Sequence, residues 1–195
     1  LRAVFITHLH SDHVVDLGSL ALFGMMGLTQ TPGESIGIFG PGDRKLLPPV
    51  SPRAANPPVP LFPDAPTPGT RAMFEALMRA HATDLNDRVL DSLRPTPFDY
   101  FNAVDIAIPE AVGFNANDRP TPDMEPFAVY EDDVVRVTAI LVEHPPIAPA
   151  FAYRFDTDEG SVVVSGDTCR TPNMIRIAEN ADVLLHEAID FDWVE

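Results

Sequence analysis

The chain has 195 residues, of which 45% are hydrophobic and 22% charged, and its formal net charge is −16. This composition is typical of a globular protein with one sizeable core, and no apolar run approaches the roughly 18 residues that a membrane-spanning helix needs. The excess of 29 acidic over 13 basic residues disfavours nucleic-acid binding, because such a surface repels phosphate backbones. The single cysteine, Cys169, excludes an internal disulfide, is compatible with the cytoplasm, and is expected to be a small packed thiol.

The first predicted element is a buried strand, the apolar run LRAVFI, and the segment THLHSDH follows it directly. Strand alternation sends His8 and His10 to the same side. With Ser11 as N-cap, Asp12 and His13 lie in the first turn of a helix that continues through VVDLGSLALFGMM. Imidazole and carboxylate groups at a strand end are typical of a metal site, and this spacing can serve two ions.

The middle of the chain is rich in proline. A short strand is predicted in ESIGIFGPG, and residues 41–68 then hold ten prolines, which favours an extended segment without helix. Apolar periodicity predicts one helix over residues 70–93, with His81 packed on its apolar face.

The last third of the chain is β-rich. FAVYEDD and VRVTAILVEH are predicted strands, and AFAYRFDTDEGSVVVSGDT is a predicted hairpin. A helix follows in TPNMIRIAEN with Thr171 as cap and Pro172 at its first position, and then a buried strand in ADVLLHEA. Three of these strands end in residues that can bind metal or move protons: His144, Asp167, and the pair His186 and Glu187. Asp167 follows a glycine, which predicts a sharp turn of the backbone there.

The motifs THLHSDH, VEH and SGDT resemble the metallo-β-lactamase superfamily. AFAYRF and HEA are similar to segments of its branch of tRNA 3′-end nucleases (tRNase Z) and arylsulfatase-like hydrolases. The resemblance implies an α/β fold, a four-layer αβ/βα sandwich, in one domain over residues 1–195. A Pro-rich helical insertion is expected at about 43–124. The chain starts without methionine and lacks the family's N-terminal strands, so we expect a fragment of a longer protein.

The resemblance also implies a site for two divalent ions, zinc by preference and manganese or iron as alternatives. His8, His10 and His144 would bind the first ion, Asp12 and His13 the second, and Asp167 would bridge both. The family's further histidine ligand is absent after His186. Asp12 is then the candidate proton acceptor for the attacking water. His186, held by Glu187, is a candidate general acid, with a buried structural histidine as the alternative.

Three functions compete. The first is hydrolysis of a small ester, namely a phosphodiester, a sulfate ester or a lactone; the second is tRNA 3′ processing of the ribonuclease Z kind; the third is a non-catalytic metal-binding module. The acidic charge argues against tRNA, and only 22 residues separate His144 from Asp167, which leaves no room for a tRNA-holding arm. We therefore expect a cytoplasmic small-ester hydrolase that acts away from membranes, with a homodimer as an option.

Overall fold

The chain divides after Ala107 into two units, Leu1–Ala107 and Ile108–Glu195, in the computed structural model, which describes residues 1–27 and 35–190. Each unit has its own sheet. In the described residues, no helix is long and apolar enough to cross a membrane. Of the predicted elements, only the first residue of the segment ESIGIFGPG, Glu34, lies outside the described residues.

The N-terminal unit contains a parallel sheet of three strands, β1 (Ala3–Phe5), β2 (Ile36–Pro41) and β3 (Phe101–Ile106), in that spatial order. The middle strand β2 fully buries Ile36 and Ile38, as expected for a strand paired on both sides in a parallel sheet. The first two strands are present as predicted, but β1, predicted as buried, is half-buried, because it lies at the edge of this sheet. The third lies inside residues 43–124, the range predicted as an insertion.

Five helices accompany this sheet: α1 (Ser11–Val14), α2 (Leu17–Gly27), α3 (Thr70–Ala80), α4 (Ala82–Leu90) and α5 (Pro97–Tyr100). Leu17, Ala21 and Met25 of α2 join Phe74 and Met78 of α3 in one apolar core with the strands. The spacing of these residues, three or four apart, is what gives each helix its buried face.

Two helix predictions were wrong in their boundaries. Ser11 is the first helical residue rather than the N-cap, a position that His10 takes without a side-chain hydrogen bond. The predicted helix is also interrupted at Val15 and Asp16. A new helix, α2, begins after Asp16, whose carbonyl accepts the first hydrogen bond of that helix from the Leu20 N–H.

The predicted single helix over 70–93 is two helices. The backbone of His81 leaves helical geometry, with φ −105° and ψ 18°, and its N–H bonds to Met78, three residues back. Its side chain is exposed rather than packed. Apolar periodicity did not reveal the break, because a single tightened turn preserves the phase of the buried face.

Residues 41–68 confirm the prediction of a Pro-rich segment without helix. After Pro41, the last residue of β2, no helix or strand occurs before Thr70. Val59, Leu61 and Phe62 are exposed by 86%, 79% and 78%. Proline has no N–H to donate and restricts the residue before it, so this density leaves few backbone groups for regular structure.

The C-terminal unit contains a five-stranded sheet in chain order: β4 (Phe127–Glu131), β5 (Arg136–Leu141), β6 (Phe151–Thr157), β7 (Gly160–Val164) and β8 (Val183–Leu185). The first four strands are antiparallel meander neighbours, and β8 runs parallel to β7. A parallel neighbour needs a crossover, which helix α6 (Pro172–Ala178) supplies. The predicted strands, hairpin and helix are all present.

The sequence predicted the start of helix α6 correctly but not the burial of strand β8. The Thr171 side chain accepts a hydrogen bond from the Met174 N–H at 3.1 Å and Pro172 opens α6, as predicted. Strand β8 was predicted as buried, but its three residues are 46–57% exposed. That prediction was wrong for the described residues, because β8 is the edge strand of this sheet and pairs with β7 alone.

Candidate metal centre

The segment after β1 brings two histidine side chains together. His8 is fully buried, and its Nε2 lies 3.1 Å from Nδ1 of His10. The two rings are 4.8 Å apart and nearly perpendicular. The Thr7 hydroxyl lies 3.2 Å from the other ring nitrogen of His8. The two imidazoles are on the same side, as predicted, but β1 ends at Phe5, so both histidines lie in the segment after the strand and not in a continuing strand.

This separation suits the donor pair of a metal site. Two nitrogens bound to one tetrahedral zinc at about 2.0–2.1 Å are about 3.3 Å apart. The 3.1 Å between His8 and His10 is close to that value, and a fully buried imidazole needs a partner for each polar nitrogen. The pair fits a metal ion in both donor type and spacing.

Asp12 and His13 lie on the short helix α1. The ring of His13 is 4.1 Å from the ring of His8, so the third histidine joins the first two. One carboxylate oxygen of Asp12 is 3.5 Å from Nε2 of His13, while the Asp12 side chain is 77% exposed. Of the three histidines only His8 is buried, whereas the carboxylate of Asp12 faces solvent, where water has access to it.

In the C-terminal unit, His144 and Asp167 follow β5 and β7. Nε2 of His144 is 3.9 Å from Oδ2 of Asp167, and the side chains are 23% and 33% exposed. Strands β5 and β7 lie on either side of β6 and are both antiparallel to it, so their carboxyl ends reach the same edge of the sheet. Gly166, with φ +62°, makes the turn that presents Asp167, and this left-handed conformation is one that glycine adopts without strain. The sequence prediction of a glycine turn there is confirmed.

His186 and Glu187 follow β8, but their contacts differ from the prediction. The carboxylate of Glu187 accepts a hydrogen bond from the Thr168 N–H at 2.8 Å, and it is the Glu187 carbonyl that lies 2.9 Å from Nδ1 of His186. Glu187 therefore contacts His186 through its backbone, not its side chain. His186 is exposed and lines the same open depression as His144 and Cys169, so a buried structural role for it is wrong.

Sequence reasoning missed two residues here and misjudged a third. Ser165 and Thr168, 1% and 5% exposed, flank Asp167 and bond to the segment after β8. The sequence SGDT contained them, yet small hydroxyl residues in a turn carry no signal that separates a support role from ordinary capping. Cys169, expected as a packed thiol, is exposed, with its sulfur 3.9 Å from the carboxylate of Glu143.

Comparison with known proteins finds relatives that align with the whole or nearly the whole chain. No family model matches. Ribonuclease Z of Mycobacterium bovis BCG is 28% identical over 197 residues, which covers 100% of this chain and 54% of that protein. A putative ribonuclease Z of Mycobacterium tuberculosis is 27% identical, over 98% of this chain and 66% of its own. The chain spans about half the length of most of the curated relatives it matches.

Among solved structures, the short form of human tRNase Z matches with a TM-score of 0.55 and 16% identity, covering 97% of this chain and 59% of that one. At that identity, the likeness shows the fold. It agrees with the sequence similarity to the ribonuclease Z proteins and with the motifs THLHSDH, VEH and SGDT. The chain therefore has the metallo-β-lactamase fold, and its resemblance to the tRNase Z branch of that superfamily is confirmed.

Proposed function

We propose that this chain is part of a metal-dependent endoribonuclease of the ribonuclease Z type, which cleaves a phosphodiester bond at the 3′ end of a precursor tRNA. The observation that carries the proposal is the similarity to ribonuclease Z proteins over the full length of the chain. It favours this function over the small-ester hydrolysis expected from charge and spacing.

The proposed ligand set is the one that the resemblance implies. His8, His10 and His144 would hold one ion, Asp12 and His13 would hold a second, and Asp167 would contribute its carboxylate to both. Imidazole nitrogens with carboxylate oxygens suit zinc first, and manganese or iron next. When bound, two such ions polarise the phosphoryl oxygens and make a water nucleophilic near neutral pH. The support is the spacing of His8 and His10 and that of His144 and Asp167.

Asp12 serves as the proton acceptor in this proposal. Its carboxylate is solvent-exposed and next to His13, so it can orient an attacking water and take up its proton. A positioned general base typically contributes about 10²–10⁴ in rate.

His186 serves as the proton donor to the leaving oxygen. A carbonyl oxygen only accepts hydrogen bonds, so the contact with the Glu187 carbonyl requires a proton on Nδ1 of His186. That contact fixes the orientation of the ring. In the charged imidazole the second proton lies on Nε2, and this is the proton that would be transferred to the leaving oxygen.

Hydrolysis of a small ester is the second candidate. Two observations favour it: the net charge of −16, and the β6–β7 hairpin, which occupies most of the interval between His144 and Asp167. A tRNA-binding surface requires basic groups that offset this charge. In that case, the Pro-rich helical segment within residues 43–124 would form a wall over a small substrate, and the insertion boundary stays a prediction.

The two candidates are separated by substrate preference. Full-length protein is assayed on a precursor tRNA and on a small activated phosphodiester, with His10→Ala as the inactive reference. Our proposal expects efficient cleavage of the precursor at one position near its 3′ end. Turnover of the small ester with no cleavage of the precursor at physiological salt would replace it with the second candidate.

A further inference from the structure

The carboxylate of Glu187 makes its hydrogen bond to the loop that carries Asp167. Oε1 accepts from the N–H of Thr168 at 2.8 Å, and Thr168 is the residue directly after Asp167. The two residues are 19 positions apart in sequence, on extensions of the paired strands β7 and β8. The bond therefore ties the end of one strand to the ligand-bearing turn at the end of its neighbour.

Three further hydrogen bonds belong to the same connection. The Ser165 N–H donates to the Leu185 carbonyl at 3.0 Å, which extends the ladder of β7 and β8 by one step. The Glu187 N–H then donates to the Ser165 hydroxyl oxygen at 3.0 Å, and that hydroxyl donates to the Gly166 carbonyl at 2.6 Å. Ser165 and Thr168 are almost fully buried, so one end of each bond is shielded from water, while the partner residue Glu187 is exposed.

The turn held in this way needs support because of its backbone. Gly166 adopts φ +62°, and it has no side chain that could pack and fix the turn. On the N-terminal side of Gly166 the Ser165 hydroxyl accepts from the Glu187 N–H, and on the C-terminal side the Thr168 N–H donates to the Glu187 carboxylate. Asp167 lies between these two anchors, so the direction of its carboxylate depends on both.

We propose that Glu187 is a positioning residue for Asp167: through the hydrogen bond to the Thr168 N–H it fixes the turn that directs the Asp167 carboxylate to the metal. The inference rests on the proposed function, in which Asp167 binds metal. Groups that orient a metal ligand without touching the ion typically change metal affinity about 10- to 100-fold when they are removed. Glu187 thus acts on the metal through Asp167, not through His186.

The role depends on an acceptor oxygen at the right reach and not on negative charge, which gives two informative substitutions. Glu187→Gln keeps the length of the side chain and a carbonyl oxygen that can accept from Thr168, but loses the charge. Glu187→Asp keeps the charge but is one methylene shorter. Positioning through the hydrogen bond therefore predicts that Gln replaces Glu and that Asp does not.

The test is the zinc dissociation constant of full-length protein, measured by competition with a chromophoric chelator. Glu159→Ala, in the exposed β6–β7 turn, is the control for the loss of a glutamate from this unit. We expect Glu187→Ala and Glu187→Asp to bind zinc about 10- to 100-fold more weakly, with Glu187→Gln and Glu159→Ala within about threefold of wild type. The visible spectrum of the cobalt-substituted protein should change in the same two weak-binding variants, because it reports ligand geometry.

The outcomes separate the two claims. Wild-type affinity in both Glu187→Ala and Glu187→Asp would overturn the positioning role and leave the proposed function intact. Weak binding by Glu187→Gln with normal binding by Glu187→Asp would show that charge matters, which also overturns it. If Glu187→Ala does not fold, the Gln and Asp variants decide alone. Wild-type protein that binds no zinc would instead refute the proposed function.

Discussion

Nε2 of His8 lies 3.1 Å from Nδ1 of His10, and His8 is completely buried. Burial makes this pair part of the N-terminal unit's structure as well as a donor pair for a metal ion. A ligand that binds only the folded state stabilises it by mass action, so metal binding here should be visible in the stability of the protein.

The first prediction concerns metal removal. A strong chelator should lower the Tm of full-length protein, because the imidazoles lose the ion that links them. In His10→Ala this shift should largely disappear. His81→Ala, which removes an exposed histidine at the break between α3 and α4, should keep the full shift. Differential scanning fluorimetry with and without chelator measures this; an equal shift in His10→Ala and wild type would remove His10 from the ligand set.

The second prediction concerns Asp12. Because its side chain is 77% exposed, Asp12→Asn should fold and keep at least one ion, losing at most the stabilisation that the second ion supplies. Turnover should fall by about 10²–10⁴, since the amide cannot accept the proton of the attacking water. Rate and metal content of the same full-length preparation are the measurements. Near-normal turnover would show that Asp12 is not the proton acceptor, and loss of all metal with unfolding would favour the non-catalytic module.

The third prediction is a pH dependence at the start of β8. Oδ2 of Asp182 accepts hydrogen bonds from the N–H and hydroxyl of Ser161, at 2.7 and 3.0 Å. The backbone bond from Ser161, followed by the hydroxyl, lowers the pKa of this carboxyl below its ordinary value, because both favour the charged form. The stabilisation is therefore fully present above the unfolded-state pKa of about 3.9 and is lost as pH falls through the lower folded-state pKa.

Asp182→Asn should accordingly have a lower Tm than wild type at pH 7, and the difference should narrow below about pH 4. Asp158→Asn, in the exposed turn between β6 and β7, is the matched control. Thermal melts of both variants from pH 3 to pH 7 provide the comparison. A difference between Asp182→Asn and wild type that is constant over this range would contradict the stated origin of the shift.

The fourth prediction concerns the core of the N-terminal unit. Ile38 is fully buried at the centre of β2, so Ile38→Ala should reduce the free energy of unfolding by about 2–5 kcal/mol, through lost burial and an incompletely filled cavity. Val59→Ala, in the Pro-rich segment, should change it by less than about 0.5 kcal/mol, because Val59 is 86% exposed. Urea titration of the two variants measures both values; equal effects would mean that β2 is not the centre of this core.

The sequence predicted the strands well, because their signal is local. β-branched runs such as VRVTAIL and SVVV, bounded by turn residues, define a strand without knowledge of its partner. The order of these strands in two separate sheets was not predictable in this way, since pairing depends on distant residues. β3 is the exception among the strands, since FNAVDI was not predicted as one: it lies after the Pro-rich segment and pairs with β2, with Phe101 opposite Ile36, 65 residues earlier in the chain.

In the candidate site, too, the residue types could be predicted from the sequence, whereas their contacts could not. His8, His10, His144 and Asp167 carry metal-ligand chemistry in their residue type, and the sequence placed them at strand ends. The sequence prediction paired the Glu187 side chain with His186, whereas its carboxylate accepts from the Thr168 N–H. A carboxylate can bond to a histidine or to a backbone N–H, and only the three-dimensional arrangement decides which. The substrate prediction rested on net charge, which describes the surface as a whole, whereas RNA contacts depend on local groups. The similarity to ribonuclease Z proteins favours the tRNA-processing alternative, and small-ester hydrolysis stays the second candidate.

The central claim is that the protein containing this chain cuts RNA with bound divalent metal. The most direct test maps the products of a precursor tRNA incubated with full-length protein, first stripped of metal and then reloaded with zinc or manganese. We predict no cleavage by the stripped protein, and a single cut near the 3′ end after reloading, absent in His10→Ala. Equal cleavage with and without metal, or no cleavage by a protein that holds its two ions, would contradict the claim.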